Sequence, residues 1–317
     1  MCDQTTEHGD DSSSGTLQKV AAGTYAWIQP DGSWWINNAG ALVAESGETL
    51  IIDTCATARR TTEFLAAVTR VRQEEPIRYA VNTHHHGDHT FGNCLLPAET
   101  ILIGHAAMRA AMSTDTTMDD FPDAWSPALN LRHLTLRLPD LTTRSELHLH
   151  LGEHEVHVLH PGYPAHTQGD LTVWVPTSRV LYTGDLLFAG LTPLAIAGRP
   201  SGMIKALDWI SSFEPAVAVP GHGPAVRGEQ LDQVLDDHRR YFALVLARAR
   251  DGLKRGATPL ETALATDLGE FGQLSEHERL VLNLHAAYAE LTGRPVDRRT
   301  ALTDAVTFLG QPMTSRA

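Results

Sequence analysis

The segment Thr83-His84-His85-His86-Gly87-Asp88-His89 restricts this chain more than any other. It follows Ile77 to Val81, an apolar run with Arg78 and Tyr79 inside it that reads as a short β-strand. In an extended chain alternate side chains point the same way, so His84 and His86 face one point and His85 faces away from it. Gly87 permits a sharp turn that brings Asp88 and His89 back toward that point. Neutral imidazoles with a carboxylate are the ligand set of zinc and other borderline divalent metals. Four such residues on one short loop cannot enclose a metal pair, so further ligands are expected downstream.

The 317 residues suit one large domain, or one domain with an appendage. A formal charge of −13 argues against nucleic acid and anionic membrane surfaces as partners and leaves a small-molecule substrate. No apolar stretch approaches the roughly 20 residues of a membrane span. The first residues lack the basic and apolar regions of a signal peptide. Cys2, Cys55 and Cys94 are scattered, odd in number and without a C-x-x-C, so no disulfide framework is expected. A cytoplasmic protein with reduced thiols is the default reading.

Residues 1–19 are rich in Asp, Ser, Thr and Gly and read as a disordered tail. Val20 to Gln29, Ala41 to Ala44 and Thr49 to Ile52 read as an antiparallel β opening, with turns at Pro30-Asp31-Gly32 and Ser46-Gly47-Glu48. Arg59 to Gln73 carries helical spacing through Phe64, Leu65, Val68 and Val71. Strands are predicted at Ile101 to Ile103, Leu134 to Leu138, Glu146 to Leu151, Glu155 to Leu159, Leu171 to Val175, Val180 to Tyr182 and Ala216 to Val219. His105 to Met112 and Met203 to Phe213 read as helices. From Glu229 onward only helices are expected. The reading therefore divides the chain into a tail (1–19), a catalytic domain (20–228) of two strand runs covered by helices, and a helical extension (229–317) that could cover the core, shape the pocket or pair two subunits.

Metal-competent groups recur at later strand ends beside small residues: His166 in a Pro/Gly loop, Asp185 after Gly184, and His222 between Gly221 and Gly223. Asp170 reads as a loop cap, and Asp53 ends the strand at Leu50 to Ile52. With Thr83-His84-x-His86-x-Asp88-His89, these residues make the chain resemble the metallo-β-lactamase-fold hydrolases from about Val20 to Pro224. The resemblance implies an α/β fold, an αββα four-layer sandwich, with a dinuclear site at one edge. It implies that His84, His86 and His166 hold one metal, that Asp88, His89 and His222 hold the other, and that Asp185 bridges them. Two Zn²⁺ per chain suit this nitrogen and oxygen set, with Fe or Mn as alternatives. Asp53 would orient a ligand histidine.

A metal pair of this kind, spaced about 3.5–4 Å, holds a bridging hydroxide that can attack a carbonyl. Asp88 would orient that nucleophile and carry a proton to the leaving group, and Tyr163 is a weaker candidate donor to the oxyanion. Class B lactamases usually carry Cys or Ser where Asp185 stands, and flavodiiron oxygen reductases carry Glu where His86 stands, which disfavours both. Asp185 is more like the residue of glyoxalase II and the lactonases. Arg248, Arg250, Lys254 and Arg255 fall where glyoxalase II has glutathione-holding helices, but they form no pattern that fixes glutathione. The leading expectation is a hydrolase of an ester, lactone or thioester. The alternatives are a metal-dependent cyclase of a polyketide-like chain and an iron-dependent oxidoreductase resembling the persulfide dioxygenases. Trp34, Trp35, Phe121 and Trp125 are expected to wall the pocket, which suits a bulky substrate.

Overall fold

A computed structural model describes residues 15–72, 75–114, 123–131 and 134–317. Among them, the first sheet contains β1 (Thr16–Ala21), β2 (Thr24–Ile28), β3 (Ala39–Val43), β4 (Thr49–Ile52), β5 (Ile77–Val81) and β6 (Ile101–His105), side by side in chain order. After the outlying β7 (Trp125–Ser126), β8 (Leu141–Thr143) closes that sheet against β6. The second sheet is built from β9 (Glu146–Leu151), β10 (His154–Leu159), β11 (Thr172–Val175), β12 (Val180–Phe188) and β13 (Val217–His222), in the order β13-β12-β11-β10-β9. The short β14 (Met313–Thr314) runs parallel to β7.

Strand sequences explain the layering. Leu42, Leu50, Ile52, Val81 and Ile103 of the first sheet share a buried core with Val156, Val158, Val173, Val180 and Val219 of the second. Their neighbours Ala41, Ile51, Ala80 and Leu102 point the other way, onto Phe64 and Val68 of α1 (Ala58–Thr69). Continuous apolar runs are what strands buried on both faces require. Two short helices follow α1: α2 (Gly87–Thr90) and α3 (Ala106–Met112). On the far side, Leu181 and Ala218 pack against Met203, Leu207 and Ile210 of α4 (Pro200–Ser212) and against Leu231, Leu235 and Phe242 of α5 (Gly228–Arg255). The result is an αββα sandwich. The chain ends in α6 (Pro259–Leu264), α7 (Arg279–Thr292) and α8 (Arg298–Leu309). Leu280, Val281 and Leu284 of α7 enter the same core as α5. No helix among the described residues is long and apolar enough to cross a membrane.

Several sequence expectations need correction. Thr16 to Lys19, read as tail, lie in β1 and pair with β2, because Leu17 packs beside Trp27 despite the polar composition around it. Residues 1–14 lie outside the described residues. Leu134 to Leu138 is not a strand. The first sheet's edge beyond β6 is already taken by β8, and Arg137 instead donates from its guanidinium to the carbonyls of Leu96, Pro97 and Thr100. The helical C-terminal region also contains β14, too short to leave a sequence signal. Cys55 is a buried free thiol, but Cys94 is disulfide-bonded, against the expectation of reduced thiols.

Candidate metal centre

Strands β4 and β5 run parallel, as do β12 and β13, and their C-terminal ends meet at one edge of the sandwich. Crevices beyond the carboxyl ends of parallel strands are where open α/β sheets place ligands. His84 and His86 follow β5, and α2 then turns Asp88 and His89 back toward them. Gly87 serves this turn differently from expectation: a β-carbon there would strike the Phe91 ring. Asp185 lies within β12, where the pairing with β13 slips around Gly184. Gly184 has φ +52° and presses on the Thr83 side chain, so both its conformation and its space exclude a larger residue. His222 ends β13, and a β-carbon on the adjoining Gly221 would collide with Asp185 Oδ1.

The seven residues form two touching groups, His84, His86 and His166 with Asp185, and Asp88, His89 and His222. His86 Nδ1 lies 3.0 Å from His84 Nε2 and 2.8 Å from His166 Nε2. Asp185 spans both groups. Its Oδ2 is 3.3 Å from His166 Nε2 and 3.7 Å from His84 Nε2, while its Oδ1 is 3.2 Å from His89 Nε2 and 3.5 Å from His222 Nε2. Asp88 Oδ2 completes the second group at 3.2 Å from His222 Nε2.

The outward nitrogens are fixed. His166 Nδ1 donates to the Leu194 carbonyl at 2.7 Å, and His222 Nδ1 donates to the carbonyls of Gly32 and Ile36 at 2.9 and 3.0 Å. His89 Nδ1 donates to Asp53 Oδ2 at 2.8 Å. The same Asp53 oxygen accepts from Thr83 Oγ1, leaving that hydroxyl to accept from His84 Nδ1 at 3.1 Å. A proton on each outer nitrogen leaves an inward lone pair, the tautomer a metal needs. Asp53 therefore orients His89 directly and His84 through Thr83. It does so at φ +59°, an uncommon conformation for a residue other than glycine.

The electrostatics favour a cation. Burial, then the neighbouring imidazoles, holds His84 and His86 well below the ordinary histidine range and so neutral. Burial opposes charge on Asp185, yet His222 and His89 outweigh it and keep the carboxylate ionised far below its usual range. Burial would likewise lower His89 and His222, but Asp185 and the other carboxylates prevail, raising His89 well above its ordinary value and His222 to about 9. Asp185 Oδ1 and His89 Nε2 are buried without a hydrogen bond, which costs about 1–3 kcal/mol per group unless a ligand satisfies them. Three converging imidazole nitrogens, a shared carboxylate and orphaned donor atoms fit divalent metal. The negative charge that holds protons on His89 and His222 would hold a cation in their place.

Other sequence candidates fall into place beside this centre. Asp170 caps its loop by accepting from the Thr167 N–H and hydroxyl. His85 lines the pocket but belongs to neither ligand group. Tyr163 packs on the core beside α4, with Lys205 5.8 Å from its ring centroid, and does not line the pocket. Phe121 lies outside the described residues. Trp34, Trp35 and Trp125 do wall a cavity of about 320 Å³ that opens on His86, Asp88, Asp185 and His222. The sequence gives no sign of the rest of the lining, Leu282, Arg279, Leu302 and Arg298 from α7 and α8, which adjoins the tryptophans.

Residues 32–222 match the family model of the metallo-β-lactamase superfamily. The chain belongs to that superfamily. It is 27% identical over 246 residues to a hydroxyacylglutathione hydrolase from Mesorhizobium japonicum, covering 74% of this chain and 80% of that one. It is 26% identical over 206 residues to the enzyme of the same name from Brucella ovis, covering 64% of this chain and 62% of that one. Among solved structures, a metallo-β-lactamase from Pontibacter korlensis superposes with a TM-score of 0.56 at 16% identity, over 72% of this chain and 99% of its own. The inverting sec-alkylsulfatase Pisa1 from a Pseudomonas species superposes with a TM-score of 0.70 at 18% identity. That likeness extends over 90% of this chain, so it reaches into the C-terminal helices, but spans only about half (51%) of the sulfatase. At these identities the structural likenesses establish fold alone. The superfamily and the named relatives support assignment as a metal-dependent hydrolase.

Proposed function

We propose that the chain is a two-metal hydrolase that attacks the carbonyl of an ester, lactone or thioester. The observation that carries this reading is Asp185, whose two oxygens face two separate histidine groups. His84, His86 and His166 would hold one ion, Asp88, His89 and His222 the other, and Asp185 both. Zinc suits the nitrogen and oxygen donors best. Bound there, a pair of divalent ions lowers the pKa of water toward neutrality and polarises a carbonyl oxygen.

The remaining work falls to the chain itself. Asp88 lines the pocket and can take a proton from the attacking water and return it to the departing oxygen or sulfur. Asp53 and the carbonyls of Leu194, Gly32 and Ile36 hold the imidazoles in place, so no reorganisation is needed as charge develops. The aromatic wall excludes bulk water. The relatives named as hydroxyacylglutathione hydrolases favour a thioester or ester over a lactam. The stretch from residue 229 onward is, in this reading, an extension that walls the pocket.

Elemental analysis of purified wild type and Asp185→Ala tests the proposal. About two zincs per chain in the wild type, falling in the variant, together with turnover of aryl esters, lactones or thioesters, is the expected result. A single iron, unaffected by the substitution, overturns it.

A further inference from the structure

We infer that the substrate of this site carries a bulky apolar acyl group, and that the cavity wall excludes a glutathione-like polar leaving group. This rests on the hydrolase reading above and goes on to name its substrate class. Three features of the cavity carry it.

The first is the aromatic wall. Trp35 stacks on Phe91 with centroids 6.2 Å apart, and Trp125 meets Trp35 edge-on at 5.0 Å and Trp34 at 5.7 Å. These rings line the same cavity as His86, Asp88 and Asp185. Leu302, Leu282 and Ile196 continue the wall, and Leu136, 61% exposed, lines the cavity as well. Cavities lined in this way bind by apolar contact and use a few polar groups for orientation.

The second feature is the shortage of cationic groups among the described residues of the lining. Glutathione carries two carboxylates and an ammonium, and recognising them takes several charged partners. Among the described residues, and apart from the metal-centre residues, the charged side chains lining the cavity are Arg279 and Arg298. Arg279 is committed elsewhere. It is 1% exposed, paired with Glu276, donates to the Thr192 carbonyl at 2.9 Å, and lies over the Trp34 and Phe188 rings.

The third feature is backbone strain at the wall. Trp35 holds φ +70°, a conformation rarely adopted by a bulky residue, and Glu276, which accepts from the Trp34 N–H, holds φ +61°. Strain of this kind persists where the surroundings over-determine it and clusters at ligand clamps. The indole N–H groups of Trp35 and Trp125 are buried without a hydrogen-bond partner and could meet an oxygen of the acyl group.

The test uses the intact, metal-containing protein and two independent readouts. Hydrolysis of a p-nitrophenyl ester series from butanoate to octanoate should show kcat/KM rising by about fourfold per methylene, and S-lactoylglutathione should fall below octanoate by at least about tenfold. Titration with decanoate, followed by tryptophan fluorescence, should show saturable quenching that weakens at least about tenfold in Trp125→Ala and in Leu136→Asp. Leu136→Asp sits on an exposed position and so tests the wall without disturbing the core. A flat acyl series, or a preference for S-lactoylglutathione, overturns the inference, as does decanoate binding that ignores both substitutions. If decanoate binds as expected but no ester, lactone or thioester is turned over, the apolar site stands and the hydrolase reading falls.

Discussion

The floor and the wall of the cavity are built in opposite ways. The floor is seven polar residues placed by strand ends and tight turns within the stretch that matches the family. The wall is mainly apolar, and part of it, Arg279, Leu282, Arg298 and Leu302, comes from helices α7 and α8, beyond residue 222. Floor residues are held by directed hydrogen bonds to Asp53, Leu194, Gly32 and Ile36. Wall residues are held chiefly by ring contacts, with a buried ion pair, Arg279 with Glu276, and two hydrogen bonds from Trp34, its backbone N–H to Glu276 and its indole N–H to Glu278. The two layers differ in what fixes them, directed hydrogen bonds in one and mainly ring packing in the other, and they touch where Phe188 stacks on His222.

The strongest way to break the floor is Asp185→Ala. With both histidine groups losing their common carboxylate, kcat/KM should fall by roughly 10³- to 10⁴-fold while thermal unfolding of the aromatic wall, read by near-UV circular dichroism, stays cooperative. Arg279→Ala breaks the wall instead. It leaves Glu276 buried without its partner, and a loss of about 3–5 kcal/mol is expected in denaturant unfolding, with metal content unchanged. Burial of Glu276 already raises its carboxyl above the usual range, which makes the stranded group costly.

His238 sharpens the comparison from beneath both layers. Burial lowers it from 6.5 to about 4, with the Val234 carbonyl and Asp237 only partly offsetting that, and its Nε2 accepts from the Phe188 N–H at 3.2 Å. Its folded value lies below its unfolded one. The stability it contributes is therefore complete above pH 6.5 and is lost as pH falls toward 4, up to about 3 kcal/mol in all. Unfolding measured across that window should flatten in His238→Gln, and an unchanged slope would show that another group controls it. The smallest effect is expected from Asp53→Asn, which keeps the shape but weakens the hold on His89. About a 10- to 100-fold loss in metal affinity is expected, measured by competition with a chelator.

The floor was legible in the sequence for a local reason. His84, His86, Asp88 and His89 share one short segment, and His166, Asp185 and His222 each sit beside a glycine or proline turn after an apolar strand. Asp53 was legible as a partner because a carboxylate ending a buried strand has few uses. The wall was half legible: tryptophans at 34, 35 and 125 stand out, but nothing near Leu282, Arg298 or Leu302 in the chain tells which way α7 and α8 pack. Leu134 to Leu138 shows the limit of alternation. Its period of two is real, yet strand formation also needs a free edge, and β8 holds that edge. Lys19 and its neighbours show the reverse, where a polar stretch is recruited into β1 by pairing with β2.

The parallel pairing of β14 with β7 has a consequence for the order in which the molecule can assemble. Met313 pairs with Trp125, and the Ser315 N–H donates to the Ser126 carbonyl. Every strand that carries a floor residue is complete by residue 222. During synthesis from the N-terminus, every floor residue has therefore been made by residue 222, whereas the Trp125 side of the wall gains its β14 support only once residues 313–315 have left the ribosome.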